Sequence, residues 1–211
     1  MSNGVTNGQE KVLLTGVSGF IGLHCAKQLI ETGFKVRGTV RSHEKQTQVE
    51  DVMATHNIDA ESLEFTLLDL TTDAGWEAAM EGCDYVMHVA SPFWIANPKN
   101  EAEMMAPAIE GTLRVLRAAQ KAKVKRVILT SSIVSMMSSI RRGVFTADDW
   151  TDVTYPNLST YIKSKTLAER AAWNFVDENE GPELVVIAPG GVFGPPLGTD
   201  ITGQSLTCLL Y

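Results

Sequence analysis

From Lys11 onward, short apolar runs alternate with longer stretches in which apolar residues recur every three or four positions. The runs at Val12–Thr15, Lys35–Val40, Leu63–Leu68, Tyr85–Val89, Val127–Thr130 and Leu184–Ala188 predict strands. Several of them (KVLLT, DYVMHVA, RVILTSS, ELVVIAP) are apolar almost throughout, as strands covered on both faces are. The periodic stretches Phe20–Thr32, His43–Asn57, Asp73–Met80, Glu101–Ala122 and Ser159–Asn179 predict helices, the fourth starting or bending at Pro107. Regular strand–helix alternation predicts a doubly wound α/β domain, a parallel sheet with helices on both faces. Ile133 to Leu158 breaks the rhythm between the fifth strand and its helix. A long loop leaving the C-terminal end of a strand is where open α/β sheets carry function.

Composition narrows the class. The chain has 211 residues, 44% hydrophobic and 20% charged, which suits one globular domain with its own core. A net charge of −7 argues against nucleic acid or an anionic membrane as partner. Cys25, Cys83 and Cys208 are odd in number and far apart, so a reducing cytoplasmic setting is expected instead of a disulfide framework. The histidines His24, His43, His56 and His88 have no metal-ligand spacing, and no metal is expected. Met1–Glu10 is polar and lacks the apolar core of a secretory signal, and no run is long enough to span a membrane.

After the first predicted strand comes Gly16-Val17-Ser18-Gly19-Phe20-Ile21-Gly22. Glycines at this spacing, between a buried strand and a helix, allow a tight turn and close approach of a pyrophosphate. The backbone amides of Ser18, Gly19, Phe20 and Ile21 then face the phosphates, the arrangement of a Rossmann dinucleotide site. The alternative is a set of turn and packing glycines with no ligand. No GxxxxGK[ST] sequence occurs, which disfavours a triphosphatase. The second strand ends in Val40-Arg41-Ser42, with Lys45 close behind and no carboxylate before Glu44. A guanidinium there suits a 2′-phosphate, so NADP(H) is expected over NAD(H). Asp69-Leu70 after the third strand is placed to meet the adenine edge, or Asp69 caps a helix.

Tyr161-Ile162-Lys163-Ser164-Lys165 puts a tyrosine and a lysine one turn apart on one helix face. Of four tyrosines only Tyr161 has such a partner, and the preceding strand ends in Thr130-Ser131-Ser132.

With these motifs in place the chain resembles the extended branch of the short-chain dehydrogenase/reductase superfamily, the NAD-dependent epimerases and dehydratases. Its likeness is to the dihydroflavonol reductase and cinnamoyl-CoA reductase group. VLLTGVSGFIG, VRGTVRS, LLDLT, GCDYVMHVASP, EGTLRVLRAA, VKRVILTSS, YIKSKTLAE and PGGVFGP carry it in the family's order. The resemblance implies a catalytic triad of Ser132, Tyr161 and Lys165, with Ser131 as the alternative serine. Tyr161 would protonate the carbonyl oxygen as hydride arrives, and Ser132 would add a hydrogen bond. Lys165 would favour the phenolate and hold the nicotinamide ribose. His88, Val89, Ala90, Ser91 and Pro92 would line the crevice, with Pro189 and the backbone near Val192 meeting the carboxamide. Phe93 and Trp94 would face a flat aromatic substrate or pack the loop base. Arg141 and Arg142 would pair with an anionic substrate or simply be exposed. Asp148 and Asp149 read as turn or capping residues.

The resemblance also divides the chain into a flexible polar stretch, 1–10, a nucleotide-binding domain, 11–196, and the start of a substrate portion, 197–211. Most of that C-terminal portion is expected to be missing, and the apolar Ser205–Leu210 stretch invites self-association. The expected function is an NADP(H)-dependent oxidoreductase acting on a small carbonyl or alcohol substrate, with aromatic ones among the candidates. An inactive NADP(H)-binding or redox-sensing relative is the alternative. Arg41 disfavours a sugar-nucleotide epimerase or dehydratase.

Overall fold

The computed structural model describes residues 10–92, 97–139 and 142–198. Six strands, β1 (Lys11–Thr15), β2 (Lys35–Val40), β3 (Leu63–Leu67), β4 (Tyr85–His88), β5 (Arg126–Thr130) and β6 (Glu183–Ile187), form one sheet in the order β3-β2-β1-β4-β5-β6. Every pairing is parallel, with Val12 opposite both Val36 and Tyr85, and Ile128 opposite both Met87 and Val185. The order reverses between β1 and β4. A crevice therefore opens there above the C-terminal strand ends, where this kind of sheet binds ligands.

Helices cover both faces, which explains the unalternated strands. Leu13 and Leu14 are successive and both fully buried, on opposite sides of the sheet. Leu14 packs with Val36, Val17, Ala26, Val49 and Met53 under α1 (Phe20–Glu31) and α2 (His43–Thr55). Leu13 packs with Val86, Val127, Trp76, Val115 and Ala172 under α3 (Trp76–Met80), α4 (Ala102–Lys121) and a longer helix, Thr160–Glu178. Glu10, at the margin of the polar N-terminal stretch, is tied to the sheet edge just before β1. Its carbonyl accepts from Lys35 N at 3.0 Å and its carboxylate from the Tyr85 hydroxyl at 3.1 Å.

One helix keeps its predicted bounds and another departs from them. Helix α4 spans Ala102–Lys121, within a residue of the expected Glu101–Ala122, and runs through Pro107 instead of starting there. The turn before the proline is held by 3.1 and 3.2 Å bonds from Glu103 N to Asn100 O and from Met104 N to Glu101 O. Asn100 Oδ1 adds a bond from Ala102 N at 3.1 Å. Burial of Met104, Ala108, Thr112 and Val115 along one face does the rest. Helix α3 starts at Trp76 instead of Asp73, because Gly75 takes a left-handed conformation at φ 88°. The Trp76 indole donates to Thr72 O at 2.9 Å, and the Asp73 carboxylate is engaged by Arg114 on α4.

The long segment after β5 is tethered. It opens with a one-turn helix, α5 (Val134–Met137), leaving Thr160–Glu178 as α6. Thr151, fully buried, donates its hydroxyl to Val134 O at 2.6 Å and accepts from Ser138 N at 2.9 Å. Arg170 on α6 donates to Thr151 O at 3.2 Å and lies 5.1 Å from the centre of the Trp150 ring. The loop is thereby closed on itself and fastened to α6.

Candidate active site

At the end of β1 the chain turns through Gly16, whose φ of +69° is strained for any side chain. A Cβ there would also lie 3.0 Å from Ala90 Cα, so the turn is packed directly against the strand end across the crevice. Gly19 caps α1, donating to Gly16 O at 3.0 Å. A Cβ on Gly22 would fall 2.2 Å from Gly16 O, so α1 sits on the turn as closely as a backbone allows. No side chain caps α1 and no acidic residue lies in its first turn. Its leading amides are thus a cradle suited to a pyrophosphate. Ser18, Phe20 and Ile21 lie half-buried at this edge and Gly19 is exposed.

Beyond β2, Arg41 is exposed, and Ser42 caps α2 by accepting from Lys45 N at 3.3 Å. The Lys45 ammonium donates to Gln48 Oε1 at 2.9 Å. Asp69 caps no helix: its carboxylate accepts from Thr71 N at 2.7 Å and Thr71 Oγ1 at 2.6 Å. Those bonds, with the charge of nearby Arg41, hold it below the usual carboxylate range. Leu70 is anchored against Gly111 of α4, and its carbonyl accepts from Arg114 at 2.7 Å.

The strand ends β1 and β4 are joined through Thr15. Its hydroxyl oxygen accepts from Val89 N at 3.1 Å and Ala90 N at 3.0 Å, and lies 2.8 Å from His88 Nδ1. With both amides donating to it, Thr15 gives its own proton to Nδ1, so His88 is the neutral Nε2–H tautomer. Burial, and then the charge of Lys165, push the His88 pKa down to about 3, in agreement with that assignment.

Helix α6 carries Tyr161 and Lys165 one turn apart and brings Lys165 to the end of β5. Ser159 caps the helix by accepting from Ile162 N at 3.3 Å, and Thr160 N donates to Asn97 Oδ1 at 3.1 Å. Lys165, only 8% exposed, donates to Thr130 O at 2.9 Å. Burial lowers its pKa to about 8 against an opposing pull from the Glu169 carboxylate. The two adjacent serines have separate surroundings. Ser131 donates its hydroxyl to Glu169, whereas Ser132 Oγ accepts a 3.5 Å bond from Val134 N at the start of α5. Among the described residues the Ser132 hydroxyl donates to no protein group, which leaves its proton for a ligand.

Pro189 O accepts from Ile133 N at 3.0 Å, fastening the segment after β6 to this serine turn. Val192 is half-buried. The segment then passes α1 and α2, where His24 Nε2 meets Pro195 O at 3.1 Å and His56 Nε2 meets Leu197 O at 2.9 Å. Ser91 and Pro92 are half-buried beside the crevice, and Arg142 is exposed. Asp149 closes a turn, accepting from Thr146 N at 2.7 Å. Phe93, Trp94, Arg141 and the stretch 205–210 lie outside the described residues. Thr15 and Glu169 were missed in the sequence. Both had a signal: a hydroxyl ending an apolar strand, and a carboxylate one turn beyond Lys165 on the Tyr161 face.

Among the described residues no group of three or more potential metal ligands occurs, and no helix is long and apolar enough to cross a membrane. The model of the NAD dependent epimerase/dehydratase family matches residues 12–208. Anthocyanidin reductase of Vitis vinifera is 35% identical over 203 residues, 92% of this chain and 59% of that protein. Dihydroflavonol 4-reductase of Arabidopsis thaliana is 34% identical over 208 residues, 95% of this chain and 54% of that protein. Yeast methylglyoxal/isovaleraldehyde reductase, solved with NADPH, superposes with a TM-score of 0.78 at 29% identity, over 88% of this chain and 59% of that one. The chain thus spans no more than 59% of the length of these relatives.

Proposed function

Since the chain belongs to the NAD dependent epimerase/dehydratase family, we propose that it is an NADP(H)-dependent oxidoreductase that interconverts a carbonyl and an alcohol on a small substrate. The observation that carries this reading is the placement of Tyr161 and Lys165. They stand one turn apart on α6, and Lys165 donates to Thr130 O at the end of β5 at 2.9 Å. Bound NADPH supplies a hydride from its nicotinamide ring to a carbonyl carbon. The rest is the work of this chain's residues. Gly16, Gly19 and the first amides of α1 hold the pyrophosphate, and Arg41 takes the 2′-phosphate, with Lys45 beside it. Asp69 and Leu70 border the adenine. Val89, Ala90, Ser91, Pro189 and Val192 flank the nicotinamide end.

Tyr161 gives its phenolic proton to the oxygen on which negative charge grows, and the Ser132 hydroxyl donates to the same oxygen. A cation at Lys165 favours the phenolate left behind, so the proton transfer becomes easier near neutral pH. NADPH in the complex of the yeast relative supports the cofactor choice, and Arg41 supports it from within this chain.

Tyr161→Phe tests the reading. NADPH affinity is expected to stay within about threefold of the parent while turnover on carbonyls falls by about 100-fold or more. Loss of binding in parallel with turnover would show that Tyr161 supports the fold or the cofactor instead. NADPH binding by the parent without turnover on any carbonyl would favour the non-catalytic alternative.

A further inference from the structure

Behind Lys165 lies a cavity of about 10 Å³, room for one water molecule. Three titratable groups line it, His88 from β4 and Lys165 and Glu169 from α6, together with the hydroxyl residues Ser91, Thr112, Thr130 and Ser131. Helix α4 contributes Ala108 and Thr112, and the Thr112 hydroxyl is occupied by Ala108 O at 2.8 Å. Among the described residues the titratable groups around Lys165 are Tyr161 and Glu169, one turn either side of it on its own helix, and His88 from β4. His88 is neutral, with its Nδ1 side taken by Thr15.

Glu169 is out of place as a structural residue. It is 8% exposed in a helix whose other carboxylates, Asp177 and Glu178, stand in solvent. Among the described residues it makes no ion pair. Its one direct partner is the Ser131 hydroxyl, itself 4% exposed. It stands one turn beyond Lys165, as Lys165 stands one turn beyond Tyr161. The three share a row on α6, and Lys165 and Glu169 both line the cavity.

We propose that Glu169 is the positioning residue for Lys165, acting as its counter-ion through a water molecule in this cavity, and that Ser131 serves to aim the Glu169 carboxylate. A buried ammonium whose one direct acceptor among the described residues is a carbonyl would otherwise shed its proton more readily. The nearby negative charge opposes that loss, and the bridging water accepts from Lys165 while donating to Glu169. Ser131 is thereby absorbed by this second row of contacts, which leaves Ser132 for the substrate oxygen. The functional consequence rests on the reductase reading: Lys165 stays protonated through neutral pH and keeps Tyr161 within reach of its working protonation state.

The test is a direct titration of Lys165 in the full chain by NMR of ¹⁵N-lysine, its resonance assigned by loss in Lys165→Arg. Glu169→Gln keeps the shape and the Ser131 bond but removes the charge, and is expected to lower the Lys165 midpoint by about one pH unit or more. Glu169→Asp restores the charge at a greater reach, and is expected to recover part of that shift. A Lys165 midpoint unchanged in folded Glu169→Gln overturns the proposal. Should that variant not fold, a midpoint unchanged in Glu169→Asp does so. NADPH binding to the parent is measured alongside. A shifted Lys165 without NADPH binding refutes the reductase reading alone, and an unshifted Lys165 with NADPH binding refutes this inference alone.

Discussion

His88 shows how much of the chemistry is set by single buried groups. The ring is 3% exposed, and its pKa lies near 3 instead of the ordinary 6.5. Between those values the unfolded chain takes up a proton that the folded chain refuses, so stability is lost as pH falls from 6.5 towards 3. From pH 6.5 to 5 this amounts to about 2 kcal/mol. Urea unfolding at pH 7.5 and at pH 5 is expected to show that extra loss in the parent and not in His88→Gln. Equal losses in the two proteins would mean that His88 is not buried neutral. Lys165 acts in a second window: with its pKa near 8 instead of 10.5, its burial costs stability below 8, and the cost disappears as pH rises through 10.5. Tyr161 and Lys165 were legible in the sequence because a helix period links them. The pairing of Ser131 with Glu169 was not. Two adjacent serines differ only in which way the strand end turns them, and that is decided by the packing of α6.

At the scale of elements, apolar runs and helical periods gave away the strands and long helices because the sheet is covered on both faces. The departures come where one tertiary contact outweighs a local preference. Asp73 reads as a helix start but is drawn to Arg114, and the α4 turn before Pro107 is secured by Asn100 and Glu101. The one turn of α5 leaves no periodic trace in its four residues. The junction of β1 and α1 is the element on which the proposed nucleotide site depends. Gly22→Ala would place a methyl 2.2 Å from Gly16 O, so the helix must move off the turn. A loss of about 2 kcal/mol or more in urea unfolding is expected, with NADPH affinity weakened at least about tenfold. An alanine variant as stable and as tight-binding as the parent would show that the turn is not the pyrophosphate cradle.

For the whole molecule, the parallel sheet delivers four strand ends to one edge: the glycine turn after β1, Arg41 after β2, His88 ending β4 with Val89 to Ser91 beyond it, and the serines after β5. The order of the motifs along the chain made this arrangement legible, since a parallel sheet delivers each strand's C-terminal end to the same edge. What selects the substrate was not legible. The segments that border the crevice from above have no period to read, and the relatives extend well beyond the length of this chain.

The central claim, a nucleotide crevice that prefers the 2′-phosphate, is tested most directly by titrating the protein with NADPH and then NADH at identical salt. Its four tryptophans and the nicotinamide supply the fluorescence. The account predicts micromolar binding, tighter for NADPH by about tenfold or more, and loss of that preference in Arg41→Ala. Binding of neither nucleotide, or equal binding of both with no effect of Arg41→Ala, would contradict it.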